Sequence, residues 1–521
     1  MSKRYGIVRT SALNGVTGTI IEIEVVIASG LPGFDIVGLG DSAIRESRNR
    51  VQAAIRSSGF IFPMSRITAS LAPAYLRKQG SSFDFPLALA ILMASGQIKP
   101  MDEPIMAFGE LTLNGQIRGV PGAISRYSAL SGHAPGRILL PQANAREVSL
   151  IADRQALFVS SLRNAVARLN GQTPLTEDEP LFENRREGAL PGIDEPRDIG
   201  SIIGQDQAVR ALEIAAAGRH NLLLLGSPGC GKTALVSTMT GILPPLTKEE
   251  SLELTQLYSA AGLLDEENGL ITRRPFRAPH HTITRAAMIG GGSSPKPGEV
   301  SLAHHGVLFL DEMTEFDPAI LDTLRQPIEE QQVRITRSQG TVVFPASFLL
   351  VGAANPCRCG HYYDDHVRCT CSEDLIKQHF SRISGPLLDR IDLVVGVSRL
   401  GAEAMERTVQ RLGREQRRTS DIAARIRQSH ERQHRRCRDQ GLSPELNGHL
   451  QSTSLAETFR LSSDVLSRAA QAAEQMNLSV RGYQKILRLA RTIADLEGDA
   501  CVQRQHLGEA LQYRSTFGGA K

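Results

Sequence analysis

The spacing of hydrophobic positions changes character along the chain. Thr19 to Ile27 alternates apolar and polar residues, the period of a half-buried strand. Ser42 to Ser57 spaces its apolar residues as one helix face, and Phe85 to Ala94 is nearly all apolar, which predicts a buried helix. With glycine turns between them, residues 1–170 read as an α+β block. Residues 171–195 lose all periodicity and are rich in proline and acid, so a linker is expected there. From 196 to 398, short apolar runs at Leu222 to Leu225, Val307 to Leu310 and Phe348 to Ala353 alternate with helix-compatible stretches. That is the pattern of an α/β domain with a buried parallel sheet. Residues 399–521 read as helical to near their end, and no segment repeats.

The chain has 521 residues, too many for one core, so two to four domains are expected. Its 41% hydrophobic and 22% charged residues are ordinary for a water-soluble protein. No apolar run is long enough to span a bilayer. The start, Met1 to Val8, has basic residues but no apolar core of a signal peptide, so a cytoplasmic location is expected. Seven cysteines in that setting suggest reduced thiols or a metal site rather than disulfides. A net charge of +4 does not by itself imply nucleic acid.

The Leu222 to Leu225 run leads into Gly226-Ser227-Pro228-Gly229-Cys230-Gly231-Lys232-Thr233, and a helix-compatible run, Ala234 to Thr240, follows. This is G-x-x-x-x-G-K-T between a strand and a helix, a phosphate-binding loop. The glycines let backbone N–H groups close around phosphates. Lys232 adds charge to the outer phosphates, and the Thr233 hydroxyl can ligate magnesium. The second apolar run ends in Asp311-Glu312, where ligands bind in such sheets. Asp311 can hold the magnesium shell, and Glu312 can polarise an attacking water. The third run ends at Asn355, which either orients that water or simply forms the turn before Pro356.

Gln332 to Arg337 and Thr341 to Phe344 alternate on either side of Ser338-Gln339-Gly340, which reads as a β-hairpin. Between 407 and 438 stand Arg407, Arg411, Arg414, Arg417, Arg418, Arg425, Arg427, Arg432, Arg435, Arg436 and Arg438. Such a run is either a nucleic-acid face or a solvated helix face or subunit contact. Cys357-Arg-Cys359 and Cys369-Thr-Cys371 are separated by nine residues. Four thiolates brought together by one loop suit a tetrahedral zinc site, with His361 and His366 as alternative ligands. Cys437 and Cys501 fall in helical stretches and need no functional reading.

Taken together, the phosphate loop, Asp311-Glu312, Asn355, Leu387-Leu388-Asp389-Arg390-Ile391-Asp392 and Ser479-Val480-Arg481 resemble an AAA+ ATPase. More narrowly, Pro275 to His281, Gly290 to Gly292, Pro297 to His304 and Asn355 to Gly360 resemble the magnesium-chelatase-like ComM/YifB family, over almost the whole chain. The resemblance implies an α/β AAA+ P-loop core with a helical lid and an oligomeric ring, a hexamer. It implies Arg390 as an arginine finger reaching a neighbour's nucleotide and Arg481 as the lid arginine. Ile203 would sit beside the adenine. The hairpin would be a pore element with Arg334 and Arg337 on phosphates. The segment from Pro275 to Pro297 and its flank would be a second insert, offering Arg273, Arg274, Arg277, Arg285 and Lys296. ATP, Mg²⁺ and single-stranded or branched DNA are the implied ligands, with recombination proteins as partners. The implied activity is branch-migration helicase action in natural transformation and homologous recombination.

Lys78 to Asp84 and Phe108 to Gly115 resemble a Lon-type (S5-type) protease fold, with Ser82 near the serine position. Serine–lysine catalysis needs an amine as base. Ile124 falls where that lysine would be, so the fold is expected without peptidase activity. Two other readings remain in view. A protein-remodelling or magnesium-chelatase motor would need an adaptor or an integrin-like metal partner, and no D-x-S-x-S motif for one is present. An ATP-dependent protease is opposed by Ile124.

Overall fold

The computed structural model describes residues 4–38, 42–74, 80–101, 103–133, 136–152, 156–172, 197–202, 204–264, 270–292, 295–337, 340–362, 367–399, 406, 418–450 and 454–515. Most of the expected linker, Lys78, Ile203, His366 and the arginines at 407, 411, 414 and 417 lie outside them.

A long antiparallel hairpin, Arg4–Asn14 paired with Thr17–Ala28, opens the chain because both arms alternate apolar and polar residues. It sits in the middle of a mixed seven-stranded sheet. Arg66–Ala72 and Gly33–Val37 extend it on one side, and Ile105–Ala107, Arg137–Pro141 and Ala156–Val159 on the other. The apolar helix Asp84–Ala94 is buried almost throughout and packs on the hairpin. The packing is close enough that a Cβ on Gly6 would lie 2.3 Å from the Ala90 carbonyl oxygen.

The second sheet has five parallel strands in the order Phe276–Arg277, Val307–Leu310, Leu349–Ala354, Leu222–Gly226, Leu393–Val397. All but the first are apolar along their length, as strands covered on both faces must be. The strands ending at Gly226, Leu310 and Ala354 are lateral neighbours, so their carboxyl ends open at one place. The first block docks onto this domain. Gly122 donates its N–H to the Ser259 carbonyl at 3.0 Å, and the Ser259 hydroxyl donates to buried Glu147 at 2.7 Å. Burial raises the Glu147 carboxyl above its ordinary value.

The run expected as one helix from Ala234 to Thr240 is broken into Lys232–Val236 and Met239–Ile242. Ser237 and Thr238 turn their hydroxyls back onto the Ala234 and Leu235 carbonyls, at 2.7 Å each. Side chains of this type compete with helical hydrogen bonds.

The carboxyl-terminal helices Thr419–Asp439 and Val480–Glu497 pack on Asp206–Gly218 of the nucleotide domain. At their junction Asp495 is 1% exposed and meets Arg436 at 2.8 Å, Arg491 at 2.9 Å and Asn447 at 2.9 Å. Buried charge is tolerated here because the carboxylate is paired and hydrogen-bonded on both oxygens. Three arginines of the arginine-rich run are committed inside the fold. Arg436 is buried in that network, Arg432 donates to the Asp495 carbonyl at 2.6 Å, and Arg425 pairs with Glu213 at 2.9 Å. Those three hold helices together, while Arg418, Arg427, Arg435 and Arg438 face solvent.

Candidate nucleotide site and its family

The phosphate loop leaves its strand at Gly226, where a Cβ would meet the Val397 carbonyl at 2.3 Å. Gly229 and Gly231 then take φ of +76° and +90°, a region that favours glycine, and nothing lies within 4 Å of where their Cβ atoms would be. Ser227, Pro228 and Cys230 complete the loop, and Ala234 lies in the first turn of the helix that follows it. Lys232 is 9% exposed and donates to the Gly226 carbonyl at 2.7 Å, the Ser227 carbonyl at 3.1 Å and Asn355 Oδ1 at 3.3 Å. Asn355 is therefore brought to the lysine across adjacent strands. The Thr233 hydroxyl donates to Asp311 Oδ2 at 2.7 Å. This oxygen pair suits a hard divalent cation, and the open space beside the two glycines suits phosphates.

Glu312 has φ of +50°, rare for a residue with a side chain, and its N–H donates to Asp311 Oδ1 at 3.0 Å. Its side chain is 59% exposed, with His281 Nδ1 3.9 Å from its carboxylate. A backbone held in a sparsely populated region beside a binding site is a signature of function.

Arg390 and Arg481 stand together elsewhere. Both reach Glu329 Oε1, at 2.8 Å and 3.3 Å. Arg390 also donates to the Arg325 and Pro386 carbonyls, at 3.1 Å and 2.6 Å. They line a cavity of about 320 Å³ with Lys485, Arg488 and Asp392, and none of residues 226–234 lines it. Asp392, quoted above with Arg390, is structural. It accepts from Lys485 at 2.8 Å and from the Asn221 N–H at 3.0 Å, and Lys485 keeps its carboxyl well below the usual range despite burial.

The hairpin pairs Gln332–Arg337 with Gly340–Pro345, in register Arg334↔Val343 and Thr336↔Thr341. Val333, Ile335 and Phe344 are buried, and Arg334, Thr336, Thr341 and Val343 are exposed. Arg334 lies 3.4 Å from Glu330. Gly290–Gly291 pairs with Lys296–Pro297 in a small ribbon against the hairpin. Cβ atoms there would meet Ile335 at 3.1 Å and Arg337 at 3.6 Å. Arg337, Arg285, Arg273 and Lys296 are exposed. Arg274 and Arg277 are half-buried and paired within the protein. Arg274 pairs with Glu250 at 2.9 Å and donates to the His305 carbonyl at 2.7 Å, and Arg277 forms a two-point pair with Glu299 at 2.6 and 2.7 Å. Both guanidinium groups brace the insert from within.

Comparison with known proteins places this arrangement. The family described as "Magnesium chelatase, subunit ChlI" matches residues 198–405. "Subunit ChlI of Mg-chelatase" matches 23–144, and "Magnesium chelatase, subunit ChlI C-terminal" matches 416–514. YifB of Salmonella typhimurium is 41% identical over 511 residues, covering 98% of this chain and 97% of that one. The chain belongs to the magnesium-chelatase-like ComM/YifB family. Another member, competence protein ComM of Haemophilus influenzae, is 40% identical over 518 residues, again covering 98% and 97%. Lon protease 2 of Bacillus subtilis is 24% identical over 282 residues, 47% of this chain and 48% of that one. The five-stranded parallel domain is thus an AAA+ core of the magnesium-chelatase type.

The structure brings forward two residues that reading by motif passed over. Glu329 joins the two arginines, but it is one of three similar residues, Glu329, Glu330 and Gln331, and nothing in its spacing marks it. His281 carried a signal, the Pro-His-His end of a motif quoted for the resemblance, without a role attached. In the amino-terminal domain Ser82 is 5% exposed, and its hydroxyl has no hydrogen-bond partner among the described residues. Ile124 is buried in the helix Ala123–Ser131.

Proposed function

We propose that the chain is a subunit of an ATP-driven ring, a hexamer, that moves branched DNA by branch migration during recombination of incoming strands. One observation carries the reading. Lys232, Thr233, Asp311 and Asn355 converge at one end of the sheet, while Arg390 and Arg481 share Glu329 in a cavity that none of residues 226–234 lines. A site whose one lysine is Lys232 and a pair of arginines held elsewhere would complement each other across a subunit boundary.

In this reading Lys232 gives up its carbonyl partners for the outer phosphates, which offer it full negative charge. Thr233 and Asp311 would hold Mg²⁺, which draws electron density from the phosphate oxygens. Glu312 accepts a proton from water, and Asn355 fixes that water's orientation. A neighbour's Arg390 stabilises charge developing on the transferred phosphoryl group, and its Arg481 follows the lid. Movement of that lid shifts the hairpin, whose Arg334 and Arg337 with Lys296 hold DNA phosphates without reading sequence. The name "competence protein" belongs to the Haemophilus relative and agrees with a role on incoming DNA. The amino-terminal domain would be a Lon-like fold without peptidase activity: the Ser82 hydroxyl has no hydrogen-bond partner among the described residues, and Ile124 stands where the resemblance would require the lysine. It serves ring assembly or forms a second DNA layer.

The test uses the purified chain with forked and four-way DNA, with and without ATP. ATP-dependent conversion of the four-way junction, with hydrolysis stimulated by DNA, is expected. A second reading, a chelatase-like motor acting on a protein, is favoured by the family descriptions. It predicts hydrolysis indifferent to DNA.

A further inference from the structure

The four cysteines after Asn355 form a group that the ATPase chemistry does not use. Cys357, Cys359, Cys369 and Cys371 are all free thiols, and their sulfur atoms lie within 4.8 Å of one another. The Sγ–Sγ separations are 3.3 Å for Cys357–Cys359, 3.7 Å for Cys357–Cys369 and 3.6 Å for Cys359–Cys369. A tetrahedron of thiolates with zinc–sulfur bonds of about 2.3 Å has edges of about 3.8 Å. Three of the sulfurs therefore stand at separations close to those that a single ion requires, and the Cys371 sulfur lies within 4.8 Å of each of them.

The surroundings explain why an ion is needed. The segment leaves the sheet at Asn355 and returns through the helix Glu373–Phe380, which has no buried residue. His379 Nε2 donates to the Asn355 carbonyl at 3.1 Å and ties that helix back to the turn. Among the described residues of the segment and its helix, Cys357 is buried and Phe380 packs partly against the core, and a segment with so little apolar burial gains order from a metal. The loop also leans on the nucleotide site. Gly360 has φ of +84°, and a Cβ there would come within 2.5 Å of Pro228 in the phosphate loop.

We propose that Cys357, Cys359, Cys369 and Cys371 bind one structural zinc ion, which fixes the Asn355 turn against the phosphate loop. The thiolates are the ligands, so binding releases their protons to solvent and involves no change in oxidation state. His361 is not among the clustered ligands. The brace deepens the proposed nucleotide site and rests on it, but the metal itself does not.

The experiment separates the two. Elemental analysis of the purified full-length protein is expected to give about one zinc per chain. The Lys232→Ala variant, whose ATP turnover is strongly lowered under the proposed function, is expected to hold the same amount. Paired Cys369→Ser and Cys371→Ser substitution is expected to lose it. Should that variant fail to fold, the folded wild type is stripped with a zinc chelator and followed by circular dichroism and by proteolysis between 357 and 371. Stripping is expected to open that segment to protease while the rest stays folded. It should also lower turnover by roughly tenfold or more, with recovery on adding zinc. Iron, a disulfide or no metal in the wild type would overturn the site. Stripped protein with full turnover and an uncut segment would overturn the brace.

Discussion

Lys232 is the residue with most at stake, since it is nearly buried and spends its three donors on two carbonyls and Asn355. Lys232→Ala is expected to lower ATP turnover by about 10²–10³-fold, the loss typical of one well-placed donor to developing charge. Steady-state phosphate release measures it, and wild-type turnover would dismiss the site. A second residue-scale expectation concerns acid. Burial pushes His430 down to about 4 and His449 down to about 3 from an ordinary 6.5. Both are neutral in the fold and take up protons more readily when unfolded. Stability is therefore fully present above pH 6.5 and declines as pH falls toward 4. The melting temperature is expected to drop between pH 7.5 and 5, and His430→Gln should flatten that slope. The phosphate loop, Asp311-Glu312 and Asn355 were legible in the sequence because each ends an apolar strand, and strand ends converge by topology. The pairing of Arg274 with Glu250 and of Arg277 with Glu299 was not legible, since it depends on folding across more than 20 positions.

Among elements, the hairpin shows how far periodicity reaches. Its alternation located both strands, and the structure shows Val333, Ile335 and Phe344 as their buried face. It could not show that the ribbon at Gly290–Gly291 packs against it, which follows from glycine's lack of a side chain beside Ile335. Double substitution Arg334→Ala with Arg337→Ala is expected to weaken binding to single-stranded DNA and to reduce the slope of log affinity against log salt by roughly 1 to 2. A salt titration by fluorescence anisotropy reads both. Unchanged slope would take the hairpin away from DNA. The broken helix after the phosphate loop has the opposite lesson. Its composition permits a helix throughout, and Ser237 and Thr238 interrupt it through hydroxyl contacts that periodicity ignores.

At the scale of the whole molecule, the arginine-rich run and the paired arginines divide the same residue type between two tasks. Arg436 and Arg491 close a buried network on Asp495, which ties the carboxyl-terminal helices into one unit. Arg390 and Arg481 instead share one carboxylate, Glu329, and Arg390 also donates to the Arg325 and Pro386 carbonyls. Sequence distinguishes these poorly, because burial of a charge is decided by partners from distant segments. The proposed ring turns on the second pair. If hydrolysis needs Lys232 from one subunit and Arg390 from the next, two defective chains should repair each other. The decisive measurement mixes Lys232→Ala protein with Arg390→Ala protein and follows phosphate release in the presence of DNA. Each alone is expected to be nearly inert, and the mixture should regain activity at boundaries that pair an intact phosphate loop with an intact Arg390. A mixture as inactive as its components, although they co-assemble, would contradict a shared site.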